Sequence, residues 1–472
     1  MRAKGIFVGG TASHVGKSWM ATAICRHLAQ SGYRVAPFKA QNMSNNSYPC
    51  AEGGEIGRAQ VAQAEACGLD PIPDMNPILL KPNSDMGSQV VLNGGVWRTL
   101  RAREYYENFD FLLDQALGAY NRLAARFEYI VIEGAGSVAE LNLRDRDLVN
   151  FGLARRVGSP ALLVADIDRG GVFASVIGTL CLVDPEERDL VRAFAVNRFR
   201  GDPALFQDGV RILERKSGKP CLGVFPMAPE IELDAEDGVS LEDPVTDSRT
   251  PRLPLRVGIV RFPRISNFTD FRLMGGAHWL TAPVDEHFDV VILPGTKSTL
   301  ADLAWLRARG LDDWLNRQHR QGARLIGVCG GYQMLGEHVD DPHAAESERG
   351  SAAGLGLLPV RTVMEREKTT RVVEAATPGG VTFSAYEIHM GRTDTCAEMR
   401  PFATLADGTP EGARHGRVLG TYLHGALEHP AVLAEVLGCP VAMPSPKVLH
   451  YDRLAEWFRG HADVAAFEEL YL

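Results

Sequence analysis

The stretch Ile6-Phe7-Val8-Gly9-Gly10-Thr11-Ala12-Ser13-His14-Val15-Gly16-Lys17-Ser18 decides the fold of the first part of this 472-residue chain. It is a short apolar run that ends in a glycine-bearing turn, and a helical pattern follows over residues 19–30. In a strand–loop–helix of this kind, backbone N–H groups of the loop and of the helix N-terminus surround phosphate oxygens. Lys17 would neutralise phosphate charge and Ser18 could ligate Mg²⁺. The stretch therefore predicts a nucleotide site at the end of the first strand.

Further apolar runs repeat this arrangement along the chain. In the first half they occupy residues 5–8, 34–38, 129–132, 161–165, 192–196 and 221–225, and in the second half residues 255–261, 290–293, 325–328 and 418–422. Continuous rather than alternating apolar strands, separated by helical patterns, indicate parallel sheets covered on both faces. We therefore expect an α/β fold of two domains, each a mainly parallel sheet flanked by helices.

The domain boundaries are predicted from where this pattern breaks. A chain of this length is expected to form two or three domains. We place a nucleotide-binding domain at residues 1–229, an acidic and proline-bearing linker at 230–254, a second domain at 255–445 and a helical C-terminal tail at 446–472. Residues 340–353, rich in Asp, His, Glu and Ser, are predicted to form an exposed loop.

Composition excludes several functional classes. The net charge of −9 disfavours nonspecific nucleic-acid binding, which depends on basic surface. The eight cysteines are scattered without a CxxC pair, which argues against a disulfide framework or a zinc knuckle and suits a reducing compartment. Neither a secretory signal nor an apolar membrane span is evident. We expect a cytoplasmic protein with no membrane or nucleic-acid partner, and a homo-oligomer is left open.

Polar side chains stand at the ends of the predicted strands, where open α/β sheets bind ligands. Lys39 could hold a γ-phosphate, and the carboxylate of Glu133 suits Mg²⁺. Asp166 and Asp168 end the next strand, and Glu55 is a third metal candidate after Ser18 and Glu133. For each of these residues the alternative interpretation is a strand-end cap or a salt bridge.

A second constellation occupies residues 325–336, where an apolar strand runs through Gly-Val-Cys-Gly-Gly into a helix. This is a nucleophile elbow with Cys329 at the turn, near a helix N-terminus that favours thiolate. The N–H of Gly330 can donate to an oxyanion, and a second donor is predicted at Gly295. His424 closes a later strand and is the predicted base, although most single histidines are surface or satisfied core residues.

The first loop departs from the strict phosphate-binding motif because five residues, not four, separate Gly10 from Gly16, and Thr11 replaces the first glycine. In this form it resembles the dethiobiotin synthetase branch of P-loop proteins, whose members use ATP to phosphorylate a carboxylate. The resemblance implies an ATP-binding set of Thr11, Gly16, Lys17, Ser18, Lys39 and Asn197. Within it, Asn197 would read adenine.

The second constellation resembles a class I glutamine amidotransferase domain, through residues 327–336 together with Gly-Thr-Tyr-Leu-His-Gly at 420–425. In that family the cysteine attacks the glutamine side-chain amide, forms a thioester and releases ammonia. Most members place a Glu two residues after the histidine, where this chain has Ala426. The departure resembles the cobyrinate amidase subgroup, which uses a Cys–His dyad. Glu387 and His389 are further candidates for the site.

Long stretches over nearly the whole chain resemble the cobyric acid synthase family, the glutamine-hydrolysing enzymes of cobalamin biosynthesis. They are residues 10–18, 37–47, 54–60, 76–82, 166–172, 197–202, 264–271 and 386–393. The resemblance implies ATP, Mg²⁺ and glutamine as reactants or cofactors and a corrinoid substrate, adenosylcobyrinic acid a,c-diamide. Its b, d, e and g carboxylates would be amidated, with residues 41–47 and 264–267 as candidates for the corrinoid interface.

Two other functions are left open. One is that of the sister enzyme, which has the same two domains and amidates the a and c carboxylates of cobyrinate. The Pro-Phe-Lys-Ala-Gln-Asn-Met-Ser stretch at 37–44 argues against this function. A P-loop regulatory ATPase with a non-catalytic glutaminase-like module belongs to a different class. It predicts no glutaminase activity, and the intact Cys329 and His424 pair counts against it.

Overall fold

The structure, a computed structural model, describes residues 3–83, 87–234, 252–346, 350–396 and 398–472. In chain order the first half contains β1 (Lys4–Gly10), α1 (Lys17–Gln30), β2 (Val35–Phe38), β3 (Gln41–Met43), β4 (Ser47–Pro49), β5 (Glu55–Gly57), α2 (Arg58–Ala66), β6 (Ile78–Pro82), β7 (Gly87–Leu92), β8 (Gly95–Arg101), α3 (Ala102–Glu107), α4 (Phe109–Ala124), β9 (Tyr129–Glu133), α5 (Phe151–Val157), β10 (Ala161–Asp166), α6 (Val172–Leu182), α7 (Pro185–Leu190), β11 (Val191–Phe199), α8 (Gln207–Ser217) and β12 (Cys221–Pro226).

Six of these strands form the parallel sheet of the first domain, in the order β12-β11-β10-β1-β9-β2. They are the six strands predicted from the apolar runs, and the prediction of a parallel sheet is confirmed. The residues of β1, β9 and β10 are buried almost throughout, since helices cover both faces of the sheet. This arrangement brings the carboxyl ends of β1, β2, β9, β10 and β11 to one edge.

A smaller unit between β2 and β9 was not predicted. It consists of a four-stranded sheet in the order β3-β6-β7-β8 and a hairpin formed by β4 and β5. The sequence pattern missed it because β3, β4 and β5 are only three residues long and mostly polar. Such strands are too short to show an apolar period.

The second half contains β13 (Val257–Val260), β14 (His278–Leu280), β15 (Val290–Leu293), α9 (Thr299–Ala308), α10 (Leu311–Arg320), β16 (Arg324–Val328), α11 (Gly330–Leu335), β17 (His338–Asp340), β18 (Ser351–Ala353), β19 (Val360–Ala376), β20 (Thr382–Thr395), β21 (Ala403–Leu405), β22 (Pro410–Glu411), β23 (Ala413–His415), β24 (Val418–Thr421), α12 (Pro430–Leu437), α13 (Lys447–His461) and α14 (Val464–Tyr471). Its main sheet has the order β14-β13-β15-β16-β24-β23, parallel except for the last pair. The four predicted strands lie in it.

A second sheet of this domain is built on the long antiparallel hairpin of β19 and β20. The prediction of a loop over residues 340–353 is wrong at its two ends. There β17 and β18 pair with each other, and β17 also pairs with β19. The polar residues of this segment become strands because β19 supplies hydrogen-bond partners from a distant part of the chain. Residues 347–349 lie outside the described residues.

The C-terminal residues return to the first domain. α13 and α14 pack on α1 and on the sheet, and the shared core contains Met20, Phe225, Phe458 and Phe467. The predicted tail is helical, and it covers one face of the nucleotide-binding sheet. Of the predicted linker, residues 235–251 lie outside the described residues. Within the described part of the chain, every helix is too short or too polar to cross a lipid bilayer.

Candidate active sites

The nucleotide loop lies between β1 and α1, and its lysine closes it. Lys17 Nζ donates to the carbonyl oxygens of Ala12, at 3.0 Å, and of Gly136, at 2.8 Å. Gly16 has a φ of 96°, and a Cβ at this position would lie 2.1 Å from Asn197 Nδ2. Only glycine fits there, because the conformation and the close contact both exclude a side chain. The loop therefore turns tightly between β1 and α1, as a phosphate-binding loop of this kind must.

Glu133, at the end of β9, is the centre of the polar groups beside this loop. Its Oε1 accepts hydrogen bonds from Ser18 Oγ and from Lys39 Nζ, both at 2.9 Å, and its Oε2 accepts from Gln63 Nε2 at 2.5 Å. The structure thus brings together three residues that were predicted separately. Gln63, on α2, was not predicted.

Ser18 and Glu133 form a donor set that fits Mg²⁺. This ion is usually held by one or two carboxylate or hydroxyl oxygens, with water and substrate phosphate completing the octahedron. The described residues hold no group of three His, Cys, Asp or Glu side chains arranged around a metal ion. The role of Ser18 and Glu133 as magnesium ligands stays a prediction.

Other predicted residues of this edge support the loop or pair with arginines. Asn197 Nδ2 donates to the carbonyl oxygen of Val15 at 2.8 Å, and Thr11 N donates to the carbonyl oxygen of Val164 at 3.0 Å. Asp166 forms an ion pair with Arg198 at 3.2 Å, and Asp168 pairs with Arg200. The nucleotide-binding roles of Asn197 and Thr11 stay predictions.

Glu55 lies in a buried ion cluster between the two domains. Lys81 Nζ is 2.8 Å from its Oε2, Ser47 Oγ donates to the same atom at 2.7 Å, and Lys368 of β19 pairs with Oε1. Burial alone would raise the pKa of Glu55, but Lys368 and Lys81 hold that pKa well below its usual range. Two lysines pair with this carboxylate, whereas Lys39 pairs with that of Glu133. Its metal role stays a prediction.

Cys329 stands on the turn between β16 and α11. Its φ of 52° is unusual for a residue with a side chain and marks a strained elbow. Cys329 N donates to the carbonyl oxygen of Thr421 at 2.8 Å, and Sγ lies 3.6 Å from the carbonyl oxygen of Ile388. At Gly331 an added Cβ would lie 1.9 Å from the carbonyl oxygen of Leu293. The small residues predicted around the elbow are therefore needed for the helix to cross the sheet.

The two glycines predicted for the oxyanion hole lie beside this elbow. A Cβ at Gly330 would lie 2.6 Å from Thr296 Cγ2 and 3.2 Å from Thr296 N, and a Cβ at Gly295 would lie 3.0 Å from His424 Cε1. The backbone of residues 295–296 therefore approaches the elbow closely from β15. Donation from these N–H groups to an oxyanion stays a prediction.

His424 is held by a carboxylate that the sequence had not indicated. Its Nδ1 lies 2.7 Å from Asp270 Oδ2, and both side chains are only 1% exposed. The other oxygen of Asp270 accepts from Gly425 N at 2.7 Å. Nε2 is buried and makes no hydrogen bond with the described residues, so it is available to a reacting group.

The electrostatics of this pair favour a protonated ring. Burial alone would lower the pKa of His424, but the charge and the hydrogen bond of Asp270, with Cys329 adding to them, raise it to about 10. Asp270 therefore supplies the partner of the His424 ring that the sequence left open, and the catalytic roles of Cys329 and His424 stay predictions.

Asp270 was missed because it precedes His424 by 154 positions. Most members of the resembled amidotransferase family carry the corresponding carboxylate, a Glu, two residues after the histidine. That later position, Ala426, is in a buried turn. The one signal available was the segment 264–271, which had been singled out but attributed in part to a corrinoid interface.

The two other candidates, Glu387 and His389, point to the opposite side of β20 from Tyr386, which stacks on His424. Glu387 pairs with Arg371 and lies 3.5 Å from His389 Nε2, and the ring of His389 stacks on Tyr422 at 3.9 Å between centroids. Both candidates line a cavity of about 920 Å³ in the second domain.

These two sites define a class. A nucleotide-binding α/β domain and a Cys–His glutaminase domain in one chain are the parts of a glutamine-dependent ligase. Residues 6–241 match the family model of the CobQ/CobB/MinD/ParA nucleotide binding domain. Residues 256–432 match the model of the CobB/CobQ-like glutamine amidotransferase domain.

Curated relatives narrow the class to one family. A cobyric acid synthase of Chlorobium phaeobacteroides is 45% identical, covering 98% of this chain and 96% of the relative. A cobyric acid synthase of Dehalococcoides mccartyi is 43% identical over 98% and 97% of the two chains, and one of Parabacteroides distasonis is 44% identical over 96% of each. The chain belongs to the cobyric acid synthase family. It is an enzyme, a glutamine-hydrolysing carbon–nitrogen ligase with a nucleotide-binding domain.

Proposed function

We propose that this enzyme amidates the b, d, e and g carboxylates of adenosylcobyrinic acid a,c-diamide and so produces adenosylcobyric acid. One observation carries the proposal: a cysteine elbow with a buried His424–Asp270 pair and a loop site around Glu133 occur in the same chain. Two sites are needed because a carboxylate is a poor electrophile and free ammonia is mostly protonated at neutral pH. One domain activates the acid and the other delivers a neutral nucleophile.

In the nucleotide domain, a carboxylate oxygen of the corrinoid attacks the γ-phosphorus of ATP, and the bond from that phosphorus to the β-phosphate oxygen breaks. ADP departs, and the corrinoid carries an acyl phosphate. Lys17 and Lys39 lie where they can neutralise the phosphate charge, and the loop amides orient it. Ser18 and Glu133 would hold Mg²⁺, which would supply charge neutralisation and orientation at the phosphates.

In the glutaminase domain, the Cys329 thiolate attacks the side-chain amide carbon of glutamine. The N–H groups of Gly330 and of residue 295 or 296 would stabilise the oxyanion. His424 gives its proton to the leaving nitrogen, ammonia departs, and a thioester remains. His424 then takes a proton from the water that hydrolyses the thioester, and glutamate leaves. Asp270 keeps the ring in the tautomer and orientation that both steps need.

Ammonia finally attacks the acyl carbon, the bond to the phosphate oxygen breaks, and the nitrogen loses a proton to give the amide. Mass spectrometry of the corrinoid after incubation with ATP and glutamine tests this assignment. We expect four successive losses of about one dalton each, because NH₂ replaces OH at each amidation. Both cobyrinic acid and its a,c-diamide should be offered. Amidation of cobyrinic acid at only two positions would instead identify the sister activity.

A further inference from the structure

The histidine of the glutaminase site lies against residues that belong to the nucleotide-binding domain. β4, β5 and the first residue of α2 form a segment, residues 47–58, that we name the docking hairpin. We propose that Tyr48 and Arg58 of the docking hairpin are positioning residues for glutamine hydrolysis, because they hold the segments around His424 in place. The inference rests on the proposed assignment of Cys329 and His424 as the glutaminase site.

A row of three rings connects Tyr48 to the histidine. The ring of Tyr48 packs edge-on against that of Tyr386, at 4.8 Å and 60°, and the ring of Tyr386 stacks on His424 at 5.4 Å and 24°. Tyr386 and His424 also exchange two backbone hydrogen bonds, each of 2.9 Å. The phenol oxygen of Tyr386 is buried and makes no hydrogen bond with the described residues. The Tyr386 ring is therefore kept in place by packing, and Tyr48 supplies part of that packing.

Arg58 connects this row of rings to the turn that follows the histidine. Its guanidinium lies 5.0 Å from the centroid of the Tyr48 ring. The same group pairs with Asp234 at 2.9 Å and lies 3.5 Å from Glu428. Glu428 ends the short helix Ala426–Glu428, which begins directly after the His424–Gly425 pair. Because the Arg58 and Glu428 side chains are less than a tenth exposed, water weakens this contact little.

The docking hairpin also anchors the turn that carries the third triad member. Ser47 N donates to Asn267 Oδ1 at 3.0 Å. Asn267 has a φ of 51° and precedes the turn Phe268–Phe271, in which Asp270 lies. The segments of both Asp270 and His424 are therefore in contact with the same part of the nucleotide-binding domain.

The docking hairpin is itself held firmly by α2, of which it includes the first residue. Gln60 accepts a hydrogen bond from Asn42 at 2.9 Å, and Gln63 donates to Glu133. Residues 58 and 63 are five positions apart on one helix, a rise of about 7.5 Å. Arg58 therefore links the helix that reaches the nucleotide site through Gln63 to the turn that follows His424, and the position of that turn depends on how the two domains dock.

Kinetics of glutamate release by the full-length enzyme test the proposal. Tyr48→Leu removes the ring between Arg58 and Tyr386, and we expect kcat for glutamine hydrolysis to fall about ten- to hundredfold with little change in KM. Tyr48→Phe keeps the ring and should restore kcat to within about threefold of the unchanged enzyme. Arg58→Leu should lower kcat in the same way.

The matched control is Tyr33→Leu. Tyr33 also packs edge-on against another tyrosine, Tyr129, at 5.0 Å, but within the nucleotide-binding domain and at 38% exposure. This variant should leave glutamine hydrolysis unchanged. The proposal is overturned if Tyr48→Leu keeps its kcat, if Tyr48→Phe is as slow as Tyr48→Leu, or if amidation driven by ammonium salts falls by the same factor. If the enzyme without substitutions released no glutamate from glutamine, the glutaminase assignment itself would be refuted.

Discussion

Asp270→Asn is the substitution that most sharply tests the triad. Gly425 N–H needs an oxygen acceptor, so the new amide would keep its oxygen toward Gly425 and present its NH₂ group to His424 Nδ1. Nδ1 must then accept, and the proton of the neutral ring moves to Nε2, the side that serves the thiol. A ring in this tautomer cannot take a proton from the attacking water.

The expected fall in kcat can be taken from a comparable substitution in serine proteases. Loss of the aspartate in a serine protease triad, by a comparable tautomer change, lowers kcat by about 10⁴, and we expect about 10³- to 10⁴-fold here. Without the carboxylate charge, the pKa of His424 should fall from about 10 toward its usual value of 6.5. The alkaline limb of the pH–rate profile, where the ring loses its proton, should therefore move to lower pH.

Glutamate release from glutamine, measured over a range of pH, is the assay. Asp407→Asn is the matched control, because this exposed aspartate of the same domain also accepts a backbone N–H, from Thr409 at 2.9 Å. It should have no effect, and ammonium-driven amidation should survive in both variants. If Asp270→Asn retained kcat within about threefold and kept its alkaline limb, Asp270 would not orient His424.

Three further predictions follow from the same contacts. Cys329→Ser should abolish glutamate release but leave ammonium-driven amidation intact; loss of both in a folded sample would contradict the separation of the sites. Gly16→Ala places a Cβ 2.1 Å from Asn197 Nδ2 at a φ of 96°, so ATP binding measured by calorimetry should weaken. The backbone strain of Gly16→Ala should lower the free energy of unfolding, measured with denaturant, by about 1–3 kcal/mol. An unchanged affinity for ATP would show that the loop conformation does not matter for binding. Burial raises the pKa of Glu411 from 4.5 to about 7, so the folded state holds a proton that the unfolded state releases and stability falls as pH rises through this window. Glu411→Gln should remove this pH-dependent loss of unfolding free energy, which is on the order of 3 kcal/mol over the window, from unfolding curves measured at several pH values. If the loss were unaltered in the variant, other groups would be its cause.

Much of the architecture was predictable because its signals are local. All six strands of the first sheet and four of the second sheet are apolar runs followed by turns, and their burial makes the pattern continuous. The nucleotide loop and the Cys329 elbow are contiguous motifs, so their geometry depends on neighbouring residues. For this reason Lys17, Ser18 and Cys329 were found from sequence together with the elements that carry them.

What the sequence did not indicate depends on contacts between distant segments. Asp270 reaches His424 only when the turn Phe268–Phe271 packs against the residues that follow β24, and no local pattern distinguishes this aspartate from the others. Gln63 joins Glu133 because α2 lies beside β9 in space, not in sequence. The short strands of the docking hairpin and the long β19–β20 pair are stabilised by partners, so their own residues show little period. The return of α13 and α14 to the first domain is likewise a tertiary contact.

The central claim is that one site activates an acid while a separate thiol supplies the nitrogen. The most direct measurement uses the corrinoid diamide, ATP and glutamine whose side-chain amide carries heavy nitrogen, and counts ADP, glutamate and labelled product together. The account predicts at least one ADP and one glutamate for each amide formed, with the heavy nitrogen in the corrinoid. Labelled amide that accumulates while no ADP appears would contradict it.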